Sequence, residues 1–250
     1  WVVCELSSYQ LMDLHFSPRI AVMQNIYADH LDYHRNFKEY LSAKSNLVRF
    51  QKPEDYYLYN SDNQYAANFA KLTPSQKIPF TKPVTPVETL LLGRHNQYNI
   101  TPSIIIGQIL NLPPDKVLSS VKTFAPLDTR LQLIAQKQNI KFYSDTLATI
   151  PQASIAAIDT LNPSTLIIGG HERFQKYAGL IDKIFSSGVR TLILFPQTGI
   201  RIAKEIDLAK QINRLTNSSI DLFPANSMPE AVNIAFKHTP ANETCLLSPA

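Results

Sequence analysis

Short apolar runs alternate with longer amphipathic stretches through the second half of the chain. The short runs are bounded by polar turn residues, a pattern typical of buried strands. The longer stretches repeat apolar residues at helical spacing. This alternation predicts an α/β fold with a Rossmann-like, doubly wound parallel sheet. Strands are predicted at 140–144, 165–168, 191–195, 220–223 and 244–247, and helices near 152–161, 177–185, 201–215 and 229–236.

The first half shows the same two patterns less regularly. Apolar runs at 2–6, 19–26 and 55–59 predict strands, and 37–48 predicts an amphipathic helix. The polar segment 60–86 predicts two short strands joined by loops. A helix is predicted over 104–112, ended by Pro113 and Pro114.

The extended segment 122–130 is expected to act as a hinge between two domains, 1–123 and 124–250. The chain opens on Trp1 within a strand-like run, and it closes on Leu247–Ala250 as a strand finishes. We therefore expect it to be a fragment of a longer protein.

Composition narrows the functional classes. The chain has 250 residues, 44% apolar and 18% charged, as in a globular protein with a substantial core. Its net charge of +4 is not concentrated in a basic run, so no nucleic-acid partner is predicted. Cys4 and Cys245 lie in apolar runs, which predicts buried thiols in a reducing compartment, the cytoplasm. No apolar run approaches about 18 residues, so no membrane insertion is expected.

The segment 25–48 concentrates candidate chemistry. Lys44 lies in the apolar stripe of the predicted helix, seven residues after Phe37 and four before Val48. A lysine placed there must extend to solvent, pair with an acid, or lose its charge. A neutral amine can add carbon dioxide and become a carbamate, an anion able to bind a metal ion.

Acids and histidines precede that helix. Four of them are Asp29, His30, Asp32 and His34. Taken alone, they fit a polar helix cap with solvated histidines, or a metal-dependent hydrolase.

A magnesium site is predicted from two strand ends. Glu5 lies at the end of the first predicted strand, and His30 follows the second. Ligands gather at the carboxyl ends of parallel strands, so both side chains are expected at one edge of the sheet. Oxygen and nitrogen ligands, completed by water and phosphate, suit Mg²⁺.

Several motifs resemble those of the Mur ligase family, in the same order. They are Cys4-Glu5-Leu6-Ser7-Ser8-Tyr9-Gln10, the segment 25–32, Ala43-Lys44, His95-Asn96-Gln97-Tyr98-Asn99 and Gly169-Gly170. The resemblance covers nearly the whole chain and is strongest to members that add glutamate to UDP-N-acetylmuramoyl-L-alanine. It implies a central ATP-binding domain at 1–123 and a glutamate-binding domain at 124–250, both truncated.

The resemblance also implies an activity and its ligands. ATP would convert the substrate carboxylate to an acyl phosphate, which the glutamate amine attacks, in peptidoglycan precursor synthesis. The cofactors implied are ATP and Mg²⁺, the partners are the nucleotide sugar and glutamate, and the protein is expected to be a monomer. Lys44 as a carbamate and His30 would be catalytic, and Glu5, His30 and Lys44 would bind metal. Asn96, Asn99, Arg130 and Asp145 would bind nucleotide, and Ser7, Gln10, Thr149, Arg173 and Ser248 would bind substrate.

The chain departs from the family pattern at four positions. Leu147 and Ile150 stand where the family has lysine and asparagine, Thr129 replaces a histidine, and Arg173 replaces a second lysine. With the following Pro151-Gln152-Ala153-Ser154, these changes resemble more closely the related ligases that add L-glutamate, and a divergent D-glutamate ligase is the alternative. They also motivate a non-catalytic descendant that only binds the nucleotide sugar.

A phosphate-binding Gly-x-x-x-x-Gly-Lys-Ser/Thr loop is missing from the sequence, and none of its seven glycines forms one. The family places this loop upstream of the matching part. We therefore expect this polypeptide alone to be inactive.

Overall fold

The computed structural model describes residues 1–31, 33–83, 86–212 and 219–250. Asp32 and the end of the helix predicted at 201–215 lie outside the described residues. The chain divides into two compact units, one of residues 1–90 and 94–124, the other of residues 91–93 and 125–250. Each unit has its own sheet.

The first unit contains a three-stranded parallel sheet in the order β1-β2-β3. Its core packs α2 against the sheet through apolar side chains that include Val48, Tyr40 and Tyr57. The strands are β1 (Ile20–Met23), β2 (Tyr56–Asn60) and β3 (Gln76–Phe80). The helices are α1 (Ser8–Met12), α2 (Phe37–Arg49), α3 (Gln64–Phe69, followed by a 3-10 turn Ala70–Leu72), α4 (His95–Ile109) and α5 (Pro114–Thr123).

The strand predicted at 2–6 is wrong. The segment 1–7 forms no strand with the described part of the chain, and Val3 is 99% exposed. An apolar run becomes a buried strand only where another strand pairs with it, and β1 pairs with β2 alone among the described strands. The prediction that Cys4 is buried is wrong for the same reason, since its side chain is exposed.

Three further predictions for the first unit need correction. The described part of segment 60–86 contains one strand and a helix where two strands were predicted. Helix α4 begins at His95, nine residues before the predicted start at Ile104, so Pro102 lies inside the helix. Proline there removes one backbone donor without ending the helix. Helix α5 was missed, and it places Lys122, the first residue of the predicted hinge, in its last turn.

The second unit contains a six-stranded sheet in the order β4-β5-β9-β6-β7-β8. Alternate residues of β6 point to opposite faces: Leu166 and Ile168 pack with α6, α7 and α8, whereas Ile167 packs with α9. The predicted doubly wound sheet is therefore confirmed. The strands are β4 (Gln132–Lys137), β5 (Ile140–Ser144), β6 (Thr165–Gly170), β7 (Thr191–Gln197), β8 (Asp221–Pro224) and β9 (Thr244–Leu247). The helices are α6 (Pro151–Leu161), α7 (Ala178–Phe185), α8 (Thr198–Gln211) and α9 (Met228–His238).

Strand β4 was not predicted, and it runs antiparallel to β5 at the edge of the sheet. It has no buried residue, so it lacks the apolar run that marks the other strands. Gln138 and Asn139 join the two strands with φ values of 52° and 59°. Such two-residue hairpins usually carry glycine, and this one has none to signal the turn.

The two thiols are expected to react very differently in the folded protein. Cys245 is 1% exposed, and burial raises the pKa of its thiol to about 12. Cys4 is exposed. A thiol-specific reagent at pH 8 should label Cys4 rapidly and Cys245 only after denaturation, because the thiolate is the reactive form. Mass spectrometry of the labelled peptides checks this, and rapid native labelling of Cys245 would contradict the burial described here.

None of the helices in the described ranges is both long enough and apolar enough to cross a membrane.

Candidate active site

Lys44 is half-buried on α2, between the buried residues Ala43 and Ser45. Burial lowers the pKa of its amine below the usual 10.5, and the carboxylates of Asp29 and Glu5 act in the opposite direction. The ammonium also lies 5.3 Å from the centre of the Tyr40 ring. Lys44 is therefore partly desolvated, as its place in the apolar stripe predicted, and it lies within electrostatic range of two acids.

His30, the residue after Asp29, has a strained backbone conformation. Its φ is 55°, an uncommon value for a residue other than glycine. Its backbone N–H donates to Asp29 Oδ1 at 2.9 Å, and its Nε2 lies 3.5 Å from Asp29 Oδ2. Its Nδ1 shares a 2.7 Å hydrogen bond with the Tyr9 hydroxyl. These contacts fix the orientation of the imidazole ring.

The solvated-histidine interpretation is wrong for His34, which is 1% exposed. Its Nε2 shares a 2.9 Å hydrogen bond with Ser8 Oγ, and its ring stacks on Tyr9. The interpretation as a hydrolase metal cluster is not tested, because it includes Asp32, which lies outside the described residues. Within the described ranges, no three His, Cys, Asp or Glu side chains are grouped so that they could hold a metal ion.

Ser7 and Gln10, predicted to contact the nucleotide sugar, form a capping box at the start of α1. Ser7 Oγ accepts from the Gln10 backbone N–H at 3.3 Å, and Gln10 Oε1 accepts from the Ser7 N–H at 2.9 Å. This reciprocal pair stabilises a helix of only five residues. The two side chains therefore have a structural task in the first unit.

The predicted adenine-binding asparagines lie in the first turns of α4. Asn99 Nδ2 donates to Asn96 Oδ1 at 2.8 Å, as expected of residues three apart on one helical face. The N-cap residue of α4 is Arg94, and its side chain forms no capping hydrogen bond within the described part of the chain. Neither asparagine is therefore the N-cap residue of this helix.

In the second unit, predicted site residues follow three neighbouring strands. Asp145 follows β5, Ser248 follows β9, and Arg173 lies in the segment after β6. These strands are adjacent and parallel, so their carboxyl ends meet at one edge of the sheet. Ligands of doubly wound folds bind at such an edge. Thr149 is half-buried just before α6, in the segment that leaves β5.

Asp145 is buried and acts as an acceptor for its neighbours. Its Oδ1 accepts from the Leu131 N–H at 3.3 Å, and its Oδ2 accepts from Ser248 Oγ at 3.4 Å. Burial raises the pKa of the carboxyl, against the opposing effects of these bonds and of the Arg130 charge. Ser248 is fully buried and lies 2.7 Å from Ser154 Oγ, so its hydroxyl supports Asp145 in this structure.

Arg130 is exposed at the end of an unusual turn. The residues on either side, Thr129 and Leu131, both have positive φ, at 61° and 46°. The Arg130 guanidinium donates to the Leu147 carbonyl at 3.1 Å. The turn therefore directs Arg130 toward the segment that follows Asp145.

Comparisons with known proteins show which sequences and folds this chain resembles. Residues 1–85 match the family described as Mur ligase middle domain. The whole chain is 29% identical to a UDP-N-acetylmuramoylalanine–D-glutamate ligase of Listeria monocytogenes and spans 58% of that protein. It is 30% identical to the ligase of the same name from Bacillus thuringiensis, again over 58% of its length.

Over its whole length the chain is similar in sequence to Mur ligases. Among solved structures, MurF from Acinetobacter baumannii matches 97% of the chain and 58% of its own, with a TM-score of 0.74 and 16% identity. MurF from Thermotoga maritima, solved with ADP, matches 94% of the chain and 59% of its own, with a TM-score of 0.70 and 12% identity. At these identities the structures show a shared fold. They confirm the α/β fold class, and the sequence matches confirm the resemblance to the Mur ligase family.

The chain spans 58% of the length of each of these two curated ligases. The match to the middle domain lies within the first unit. The roles assigned to individual residues, and the ATP and glutamate labels of the two units, stay predictions.

One cluster of charged side chains in the second unit was not predicted from the sequence. Arg201 on α8 lies beside the segment that follows β6, bonded to Glu172 and to Glu205. The arginine and Glu205 are four residues apart on a helix, a common pairing that predicts a solvent-exposed contact only. The contact to Glu172 spans 29 positions of the chain, and no local pattern could have indicated it.

Proposed function

We propose that this chain carries the central and C-terminal parts of an ATP-dependent ligase that joins glutamate to UDP-N-acetylmuramoyl-L-alanine in the cytoplasm. The observation that carries the proposal is Lys44, half-buried on α2 with its pKa lowered beside two carboxylates. The names of the relatives support D-glutamate as the amino acid. The product would be a precursor of peptidoglycan.

The proposed reaction forms an amide bond in two steps. The substrate carboxylate takes the γ-phosphoryl group of ATP and becomes an acyl phosphate, with release of ADP. The glutamate amine then attacks the acyl carbon, and phosphate leaves from the tetrahedral intermediate. Positioning and charge neutralisation are the main requirements of such a reaction.

The residues of the chain would meet these requirements by binding and orienting the reactants. Asn96 and Asn99 would hold adenine, since an amide offers both a donor and an acceptor. Arg130 and Asp145 would contact ribose or phosphate, with Ser248 supporting the carboxylate. The glutamate carboxylates would meet Arg173 and Thr149. Ser7 and Gln10 would contact the nucleotide sugar at the start of α1, the helix that they cap.

Glu5, His30 and the carbamate of Lys44 would hold Mg²⁺. The electrostatic effect of Glu5 on Lys44 supports their grouping, and so does the ordered His30 ring. Mg²⁺ commonly keeps several waters and is completed by substrate phosphates, so a cage of three protein carboxylates is not required. When bound, the ion would neutralise negative charge on the transferring phosphoryl group. His30 would be oriented by Tyr9 on one nitrogen and face Asp29 with the other.

The test uses the full-length protein, including the residues upstream of Trp1. Their coding sequence is expected to contain a Gly-x-x-x-x-Gly-Lys-Ser/Thr loop in frame. With nucleotide sugar, ATP and Mg²⁺, D-glutamate should produce ADP and a product heavier by one glutamyl residue. Chelation of Mg²⁺ should stop turnover. Turnover with L-glutamate alone would assign the L-specific variant of the reaction.

A non-catalytic binding protein is the second candidate, and Leu147 is the observation that favours it. This apolar residue stands in place of a family lysine and is 43% exposed beside the Arg130 contact. That candidate predicts binding of the nucleotide sugar by calorimetry with no ADP formed in the full-length protein. Such a result would overturn the ligase proposal.

A further inference from the structure

The segment 171–177 follows β6 and carries Arg173, the residue proposed above to meet a glutamate carboxylate. It contains an exposed, strained residue: Phe174 is 71% exposed and has a φ of 56°. An aromatic residue in the left-handed region costs free energy and persists only where its surroundings impose it. The contacts that impose this conformation converge on a single side chain, Arg201.

Arg201 joins three points of this segment at once. Its Nη1 donates to Glu172 Oε1 at 2.8 Å, and its Nη2 donates to the Gln175 carbonyl. Its guanidinium carbon lies 4.7 Å from the centre of the ring of Tyr177, which is buried. Glu205 Oε1 accepts from its Nε at 3.1 Å and so holds the guanidinium from within α8. Arg201 thus fixes both the start and the end of the segment.

The carboxylate of Glu172 passes this constraint to the strained residue. Its Oε1, which accepts from Arg201, also accepts from the Phe174 N–H at 2.6 Å. The Glu172 N–H donates to Gln197 Oε1 at 3.1 Å, which anchors the segment to the end of β7. The residue between these two backbone anchors is Arg173. Its backbone is therefore fixed on both sides, by Gln197 before it and by the Glu172 carboxylate, which Arg201 holds, after it.

We propose that Arg201 is a positioning residue that holds the segment 171–177 in the conformation that presents Arg173 to the incoming amino acid. This inference rests on the proposed ligase function. A lysine at position 201 would keep the charge but could not bond Glu172, Gln175 and Glu205 together, because only the planar guanidinium presents a fork of donors. Arg201 itself does not touch the reacting atoms in this proposal.

The first arm of the test measures the segment without any assay of activity. Hydrogen exchange of the Phe174 amide should quicken by about tenfold or more in Arg201→Met and Arg201→Lys, because its acceptor, Glu172 Oε1, loses the Arg201 contact. Exchange in β6 and in α7 should stay unchanged. The matched control is Arg190→Met, since Arg190 pairs with Glu243 at the opposite, amino end of β7. Unchanged exchange in both Arg201 variants would overturn the proposal.

The second arm separates the substrates in the full-length protein. In Arg201→Met, the KM for glutamate should rise by about tenfold to a hundredfold, while the KM values for ATP and the nucleotide sugar stay within about twofold. Arg201→Lys should recover part of the loss, and Arg190→Met should match the wild type. An equal loss toward all three substrates would indicate general damage and overturn the positioning role.

The two arms distinguish failure of this inference from failure of the proposed function. If the wild type forms no amide bond, the ligase proposal fails and the role toward glutamate falls with it. If the wild type is active and exchange quickens while the KM for glutamate is unchanged, the ligase proposal stands. In that case Arg201 holds a segment that does not present Arg173, and the inference is wrong.

Discussion

Replacing Lys44 with alanine is expected to lower ligase turnover of the full-length protein by at least about a hundredfold. Removal of one preorganised electrostatic group from an active site typically has this effect. Lys44 differs from an ordinary solvated surface lysine, because it is half-buried and burial lowers the pKa of its amine. A lowered pKa leaves more free amine at a given pH, and only the free amine adds carbon dioxide. Steady-state ADP release measures the loss.

Chemical rescue distinguishes a carbamate from a free lysine at this position. A short carboxylic acid, supplied at high concentration, should restore part of the activity of Lys44→Ala because it replaces the missing anion. Methylamine, which replaces a cation, should not. Wild-type activity should fall when bicarbonate and dissolved carbon dioxide are removed, and more so at lower pH, where less amine is free.

The control for this experiment lies on the same helix. Lys38 is exposed near the start of α2, so Lys38→Ala should keep turnover within about twofold of the wild type. Folding of both variants is compared by circular dichroism. Full activity in Lys44→Ala would remove the carbamate hypothesis. Rescue by methylamine would instead assign Lys44 a role as a cation.

The sequence was most informative where local pattern and tertiary environment agree. In the second unit, β5 and β9 occupy the predicted ranges because an apolar run flanked by turns has few alternatives inside a parallel sheet. Lys44 could also be placed from spacing alone, because helical periodicity decides which side chains share a face. Its desolvation then followed from the apolar residues around it.

Predictions failed where contacts with distant parts of the chain decide whether a segment forms a strand or which side chains pair. Segment 1–7 has the composition of a strand, yet it has no strand partner in the described part of the chain, so Val3 stays exposed. Strand β4 has the opposite character: it has no buried residue and is a strand because β5 pairs with it. Arg201 could not be found either, since its partner Glu172 is distant in sequence. Pairing between distant segments is invisible to periodicity.

Gly169→Ala is expected to destabilise the second unit by about 3 kcal/mol or more. The φ of Gly169 is 110°, a region that costs other residues about 1–3 kcal/mol. An added Cβ would also lie 2.6 Å from the Phe195 carbonyl oxygen and 3.0 Å from the Gly199 nitrogen. These are backbone atoms of β7 and α8, which cannot turn away as a side chain can. Overpacking of this kind adds about 1–3 kcal/mol. Urea unfolding followed by circular dichroism, with separate transitions for the two units, measures the change.

Two other glycines separate the contributions to that loss. Gly170 has a φ of 146° and open space around its added Cβ, so Gly170→Ala should show the backbone cost alone, about 1–3 kcal/mol. Gly179 lies in α7, also with open space, and Gly179→Ala should stabilise the unit by about 0.5–1 kcal/mol because alanine favours helices. If Gly169→Ala were no worse than Gly170→Ala, then β6, β7 and the start of α8 would not be packed as closely as described. The segment that carries Arg173 begins directly after Gly170. A shift of β6 away from β7 and α8 at Gly169 would therefore also move the proposed amino-acid site.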